Sequence, residues 1–193
     1  MDRASSKRLL VVAALVVAGG LGNALMSLAN MALSSPFFFD SVFTAVCAAL
    51  FGPLAGALCG LVSHLFMELF HGWNGLFLPF AVCNIATGLI VGLFARSGRL
   101  ATLTGAMLCT ILVTLGNSVL GALVAFYLFG GITGHASDYL VTGFILVGQT
   151  LLAAAFWARI PANLIDKGIA VALAYFAARR ALGQRAEAAR LGR

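Results

Sequence analysis

His64, Glu68 and His71 sit at four-then-three spacing inside an apolar run, the interval that brings side chains onto one face of a helix. Ionisable groups at membrane depth are costly and mark function. Two imidazoles and a carboxylate on one face form a donor set that several divalent ions accept. At a helix end the same groups more ordinarily bond to each other or to loop amides, so no metal is assigned. Asn84, Asn117 and Asn163 are single amides on three otherwise apolar helices. Alone, each serves as interhelical glue; if they converge, they supply the donors and acceptors that a flat heterocyclic ligand needs. Trp73 and Trp157 either stack on such a ring or anchor at a membrane interface. Lys167 is expected to pair with its neighbour Asp166. Cys47, Cys59, Cys83 and Cys109 lie in apolar runs without CxxC spacing and read as buried structural thiols. The chain has no Ser-His-Asp or Cys-His arrangement, Walker loop or glycine-rich nucleotide motif, so its chemistry is binding rather than catalysis, with no cofactor expected.

These polar residues are set in 193 residues that are 62% hydrophobic and 9% charged, with a mean hydropathy of +1.04. That composition defines an all-α integral membrane protein and excludes a water-soluble globule. No Lys or Arg occurs between Leu9 and Ala95 or between Leu100 and Ala158, and each gap holds runs long enough to cross a hydrocarbon core of ~30 Å. The net charge of +6 gathers at the two ends and around Arg96 and Arg99. It is therefore a topology signal rather than a nucleic-acid patch, and the surrounding partner is the lipid bilayer.

The stretch 36–72 organises the elements that must position the polar groups. Two apolar runs meet at Gly52-Pro53, where proline's missing amide stops one helix and suits the first turn of the next. Asp40 or Ser41 is placed to cap the earlier helix. Gly52, Gly56 and Gly60 recur every fourth residue and offer a face on which another backbone can pack closely. The full pattern predicts one membrane domain over 1–193, with helices at about 9–33, 41–51, 53–71, 76–95, 101–129 and 160–180. Ala14, Ala18 and Gly22 form a small-residue strip on the first helix, suited to internal packing or to docking on another membrane subunit. Phe37, Phe38 and Phe39 read as interfacial anchors or as a lid over a ligand.

The run 138–158 creates a conflict. If it crosses the membrane and the next segment crosses back, Arg179, Arg180, Arg185, Arg190 and Arg193 end outside, against the positive-inside rule. Either 138–158 folds back as an outer capping or re-entrant segment, or it crosses and the last segment lies along the inner surface. Charge bias alone leans to the second.

Phe39-Asp40-Ser41-Val42, Gly52-Pro53-Leu54-Ala55-Gly56, Asn84-Ile85-Ala86-Thr87-Gly88, Asn117, and Ile160-Pro161-Ala162-Asn163-Leu164-Ile165 followed by Lys167-Gly168 occur in a familiar order. In that collinear order the chain, up to about Leu182, resembles the riboflavin-type substrate-binding subunits (S-components) of energy-coupling factor (ECF) transporters. The resemblance implies a six-helix bundle in the cell (plasma or inner) membrane with both termini cytoplasmic, holding a vitamin or similar micronutrient near the outer face. It also implies partners: an energy-coupling transmembrane subunit, docked on the strip of Ala14 and Ala18, and two ATPase subunits. By the same resemblance Ile160-Pro161 begins the last helix on the outer side, 138–158 caps the site, and Lys167 reaches the ligand, although Asp166 stands as an extra residue before it. The expected substrate-binding set is Asn84, Asn117, Asn163, Lys167, Trp73, Glu68 and His64.

Three functions are compatible with these residues. One is a micronutrient-binding subunit serving an ATP-driven complex. Another is a stand-alone ion-coupled or metal permease using His64 and Glu68 as coupling groups; the chain shows no evident inverted repeat to support it. The third is a membrane-embedded sensor, for which the tail offers no long linker or coiled-coil heptads. The first is the expected function.

Overall fold

Among residues 3–191, which the computed structural model describes, the chain forms seven α-helices and no strand: α1 (Arg3–Ala32), α2 (Val42–Phe51), α3 (Pro53–Phe70), α4 (Ala81–Arg96), α5 (Leu103–Phe129), α6 (Asp138–Leu146) and α7 (Leu151–Leu191). Single 3-10 turns at Leu78–Phe80 and Arg99–Ala101 precede α4 and α5. Five segments are long and apolar enough to cross a membrane: those of α1, α3, α4 with its leading turn, α5 and α7. At ten residues α2 falls short of a full crossing.

Burial is distributed as packing in lipid requires. The core is built of small side chains, with Ala45, Ala48, Cys59, Cys109, Val113, Ala170 and Ala174 fully buried, while Leu9, Leu54, Leu93 and Leu103 are more than half exposed. Apolar burial gains little against hydrocarbon, so close backbone approach does the work instead. Gly52, with φ of 98°, turns α2 directly into α3, and Pro53 occupies the first turn of α3. Gly56 and Gly60 then face α4. A Cβ on Gly60 would lie 2.7 Å from the main-chain carbonyl of Asn84, and one on Gly88 would run into the Gly56 backbone.

The helices alternate so that two kinds of connection collect at opposite ends. Near one end Val12 and Ala55 pack against the same cluster of Val16, Cys47 and Cys59, and Arg96 shares a surface depression with Gly52, Ala178 and Leu182, so the arginine-bearing ends of α4 and α7 meet the α2–α3 turn. The other end gathers the α1–α2, α3–α4 and α5–α6 connections around a cavity.

The final third corrects the expectation from sequence. Within the run 138–158, expected as one capping or re-entrant segment, α6 is only nine residues, and the last helix begins at Leu151 rather than at about 160, running without a break through Pro161. Proline removes one main-chain donor and leaves the Trp157 carbonyl without its usual partner, but Pro161 sits on the exposed side of α7. The face opposite packs on α5 and α2, and that tertiary packing outweighs the local stop signal. One helix therefore carries Arg159 near the cavity end and Arg179 at the basic end, which removes the charge conflict. The capping expectation fails too: Ser41 precedes α2, but its side chain makes no cap bond, and the amide of Phe43 is instead satisfied by Asn23 Oδ1 of α1 at 2.9 Å.

Gly60→Ala is expected to destabilise the protein by about 1–3 kcal/mol through overpacking, because the obstruction is backbone. Gly183→Ala, whose Cβ would meet nothing within 4 Å, serves as the control and should leave the denaturation midpoint in detergent unchanged or slightly raised.

A candidate binding cavity

Residues 35–41 carry the chain from α1 to α2 without helical structure, yet they lie against Asp166, roughly 22 Å along α7 from its start at 1.5 Å per residue. Main-chain groups at such depth need protein partners. Asn30 Nδ2 donates to the Phe37 carbonyl, the Phe39 amide donates to Asp166 Oδ1 at 3.2 Å, and Asn84 Nδ2 donates to the Asp40 carbonyl at 2.6 Å. The connection is thus held in place by side chains from three helices.

It delivers Asp40 to Lys167. The ammonium of Lys167 lies 2.9 Å from Asp40 Oδ1, 2.7 Å from Asp166 Oδ2 and 2.8 Å from Ser41 Oγ, so its three donors are fully used. His64 Nε2 approaches the other Asp40 oxygen at 3.6 Å. Asp40 thus faces the Lys167 ammonium through one oxygen and the His64 imidazole through the other.

This cluster forms part of the wall of a cavity of about 110 Å³ that opens at one end of the bundle. Met31, Met67, Phe77 and Phe80 supply apolar walls, and Phe38, Thr133, Gly134 and His135 close the top. His135 stacks on Phe38 with centroids 4.9 Å apart, and burial there pushes its pKa down. Asp138 fixes the covering loop by accepting from the Thr133 and Gly134 amides at 2.8 and 2.7 Å.

Of the residues expected from sequence, His64, Asn117, Asn163 and Lys167 line this cavity. Asn117 donates to Thr87 Oγ1 at 2.7 Å and Asn163 to Ser118 Oγ at 3.0 Å, while Asn117 Oδ1 and His64 Nε2 are buried without a hydrogen-bond partner. The remaining three lie elsewhere. Asn84 is spent on the Asp40 carbonyl, although its own Oδ1 is left unpartnered. Glu68 accepts from the amides of Gly75, Phe77 and Leu78 and so ties down the α3–α4 connection. Trp73 is 59% exposed at a left-handed turn position, away from the cavity. The metal face does not assemble either: His64 Nδ1 pairs with the Phe77 carbonyl and His71 Nδ1 with that of Met67, and no three metal-binding side chains converge among the described residues.

Sequence reasoning missed Asp40 and Arg159 as cavity residues. Arg159, Asn163 and Lys167 follow one another at four-residue steps on α7, a legible stripe that was hidden once Pro161 was read as the start of the helix.

Bundle and cavity together define a multi-pass membrane protein with a partly enclosed cavity near one end. Residues 39–178 match the family described as ECF transporter, substrate-specific component. The chain belongs to that family, whose members are substrate-binding components of transporters and not enzymes. No curated protein and no solved structure matches it.

Lys167→Met is expected to strand the buried Asp166 and the partly buried Asp40 carboxylates and cost about 3–5 kcal/mol of stability. Asn84→Ala, which frees one main-chain carbonyl, should cost about 1–3 kcal/mol. Chemical denaturation in detergent followed by tryptophan fluorescence measures both; a smaller loss for Lys167→Met than for Asn84→Ala would contradict the cluster's structural role.

Proposed function

We propose that the protein captures a vitamin-sized micronutrient from outside the cell and delivers it to an energy-coupling transmembrane subunit driven by two ATPase subunits. The observation that carries this reading is the cavity itself, walled by apolar side chains, bordered by unpartnered polar atoms and lying at the end of the bundle opposite Arg96, Arg99, Arg179 and Arg180. By the positive-inside rule the end bearing Arg96, Arg99, Arg179 and Arg180 is cytoplasmic. The cavity then opens outward, and α6 with the 130–137 loop is its cover. In this orientation α7 runs inward, and both termini are cytoplasmic in the plasma or inner membrane.

Membership of the ECF substrate-specific components supports the choice of partners. Ala14 and Ala18 are both exposed on α1 and so available to another helix, whereas Gly22 packs on Phe43 of α2. His64, Asn117, Asn163 and Lys167 form the ligand-facing polar set in this reading, with Asn84 and Glu68 holding the two connections that shape the cavity.

Uptake should be absent for the protein alone in liposomes and appear when the coupling subunit and ATPases are co-reconstituted. Ala14→Trp or Ala18→Trp should abolish co-purification with the coupling subunit while leaving the denaturation midpoint unchanged. Full uptake without partners would overturn the reading. Orientation has its own test in a cysteine-free background: Tyr139→Cys should react with a membrane-impermeant thiol reagent on intact cells, and Ser97→Cys only after permeabilisation. The reverse pattern would put the cavity on the inner face.

A further inference from the structure

The two cations of the cavity wall are in opposite states. Lys167 has every donor engaged, and its two carboxylates leave that cluster with a negative balance. Arg159 is only 3% exposed, donates through Nη1 to the carbonyl of Ala155 at 2.9 Å, and has no carboxylate within salt-bridge distance among the described residues. Its guanidinium lines the cavity and lies so close to α5 that a Cβ on Gly121 would come within 3.1 Å of Nε. A buried, unpaired charge is among the costliest features a fold can carry, and a cation placed on a cavity wall is relieved by an anion entering that cavity.

We propose that Arg159 is the anchor for a carboxylate on the captured molecule, so the substrate is a monoanionic acid with an apolar or heterocyclic body. This inference rests on the capture function proposed above and narrows its substrate class. The planar guanidinium fork matches a carboxylate in two parallel bonds. A single unpaired cation balances one negative charge, and the net negative Asp40–Lys167–Asp166 group across the same cavity disfavours a doubly charged phosphate ester. Asn117 Oδ1, buried and unpartnered, can accept only a hydrogen-bond donor, which places an N–H or O–H on the body of the same molecule.

The test uses purified full-length protein in nanodiscs and matched probes: nicotinate with nicotinamide, pantothenate with panthenol, biotin with its methyl ester, and pyridoxal 5′-phosphate with pyridoxal. Titration calorimetry should find at least one carboxylate that binds and whose uncharged counterpart does not. Arg159→Gln should weaken that binding about 10- to 100-fold, the range for losing hydrogen bonds to a charged group, with Arg159→Lys in between. Without ligand, Arg159→Gln should unfold at or above the wild-type midpoint, because it removes an uncompensated charge; a lower midpoint would assign Arg159 a structural role and overturn the inference. Binding confined to uncharged probes, or preferred by the phosphate ester, overturns the carboxylate while leaving micronutrient capture standing. Binding of none of the eight removes the carboxylate anchor and counts against capture as well.

Discussion

A main-chain amide or carbonyl without a partner in hydrocarbon costs several kcal/mol, and residues 35–41 pass through the bundle with no helix to satisfy theirs. Much of the polar content of this apolar chain is explained by that constraint. Asn30 serves Phe37, Asp166 serves Phe39, Asn84 serves Asp40, and Asn23 serves Phe43 at the uncapped start of α2. Asp166 is itself buried, which requires Lys167, and Lys167 in turn requires Asp40. The ion cluster and the non-helical connection are therefore one structure, each supplying hydrogen-bond partners to the other.

On α3 a single i, i+4 row runs Gly52, Gly56, Gly60, His64, Glu68, and its change of chemistry shapes the bundle. At Gly56 and Gly60 of this row, α3 and α4 touch backbone to backbone. Where it becomes His64 and Glu68, side chains need room, and the chain fills that region with the α3–α4 connection, bonded through its amides to Glu68 and through the Phe77 carbonyl to His64. Tight packing at the basic end and a cavity at the other thus follow from one ridge of one helix.

Much of the fold was legible from residue types alone. Composition announced the membrane, Gly52-Pro53 marked the turn, and four of the seven expected site residues line the cavity. The misreadings share a physical cause, which is that a side chain's local signal says nothing of its partner. Asn84 and Glu68 were correctly read as buried polar groups, but their partners are main-chain atoms of loops that sequence cannot place. Trp73 belongs to a turn that faces away from the bundle. Pro161 is a strong stop signal in isolation and is overridden by packing on α5 and α2. That one boundary error concealed the face shared by Arg159, Asn163 and Lys167.

The brevity of α2 has a volumetric meaning. Ten residues of helix rise about 15 Å, half the hydrocarbon thickness, whereas its neighbours α3 and α5 run 18 and 27 residues. The missing half-helix is replaced by the thin non-helical connection 35–41, and the space so vacated borders the cavity. Such an architecture lets the size of the compartment be set by the length and bulk of residues 35–41, leaving the helix-to-helix contacts that hold the bundle together untouched.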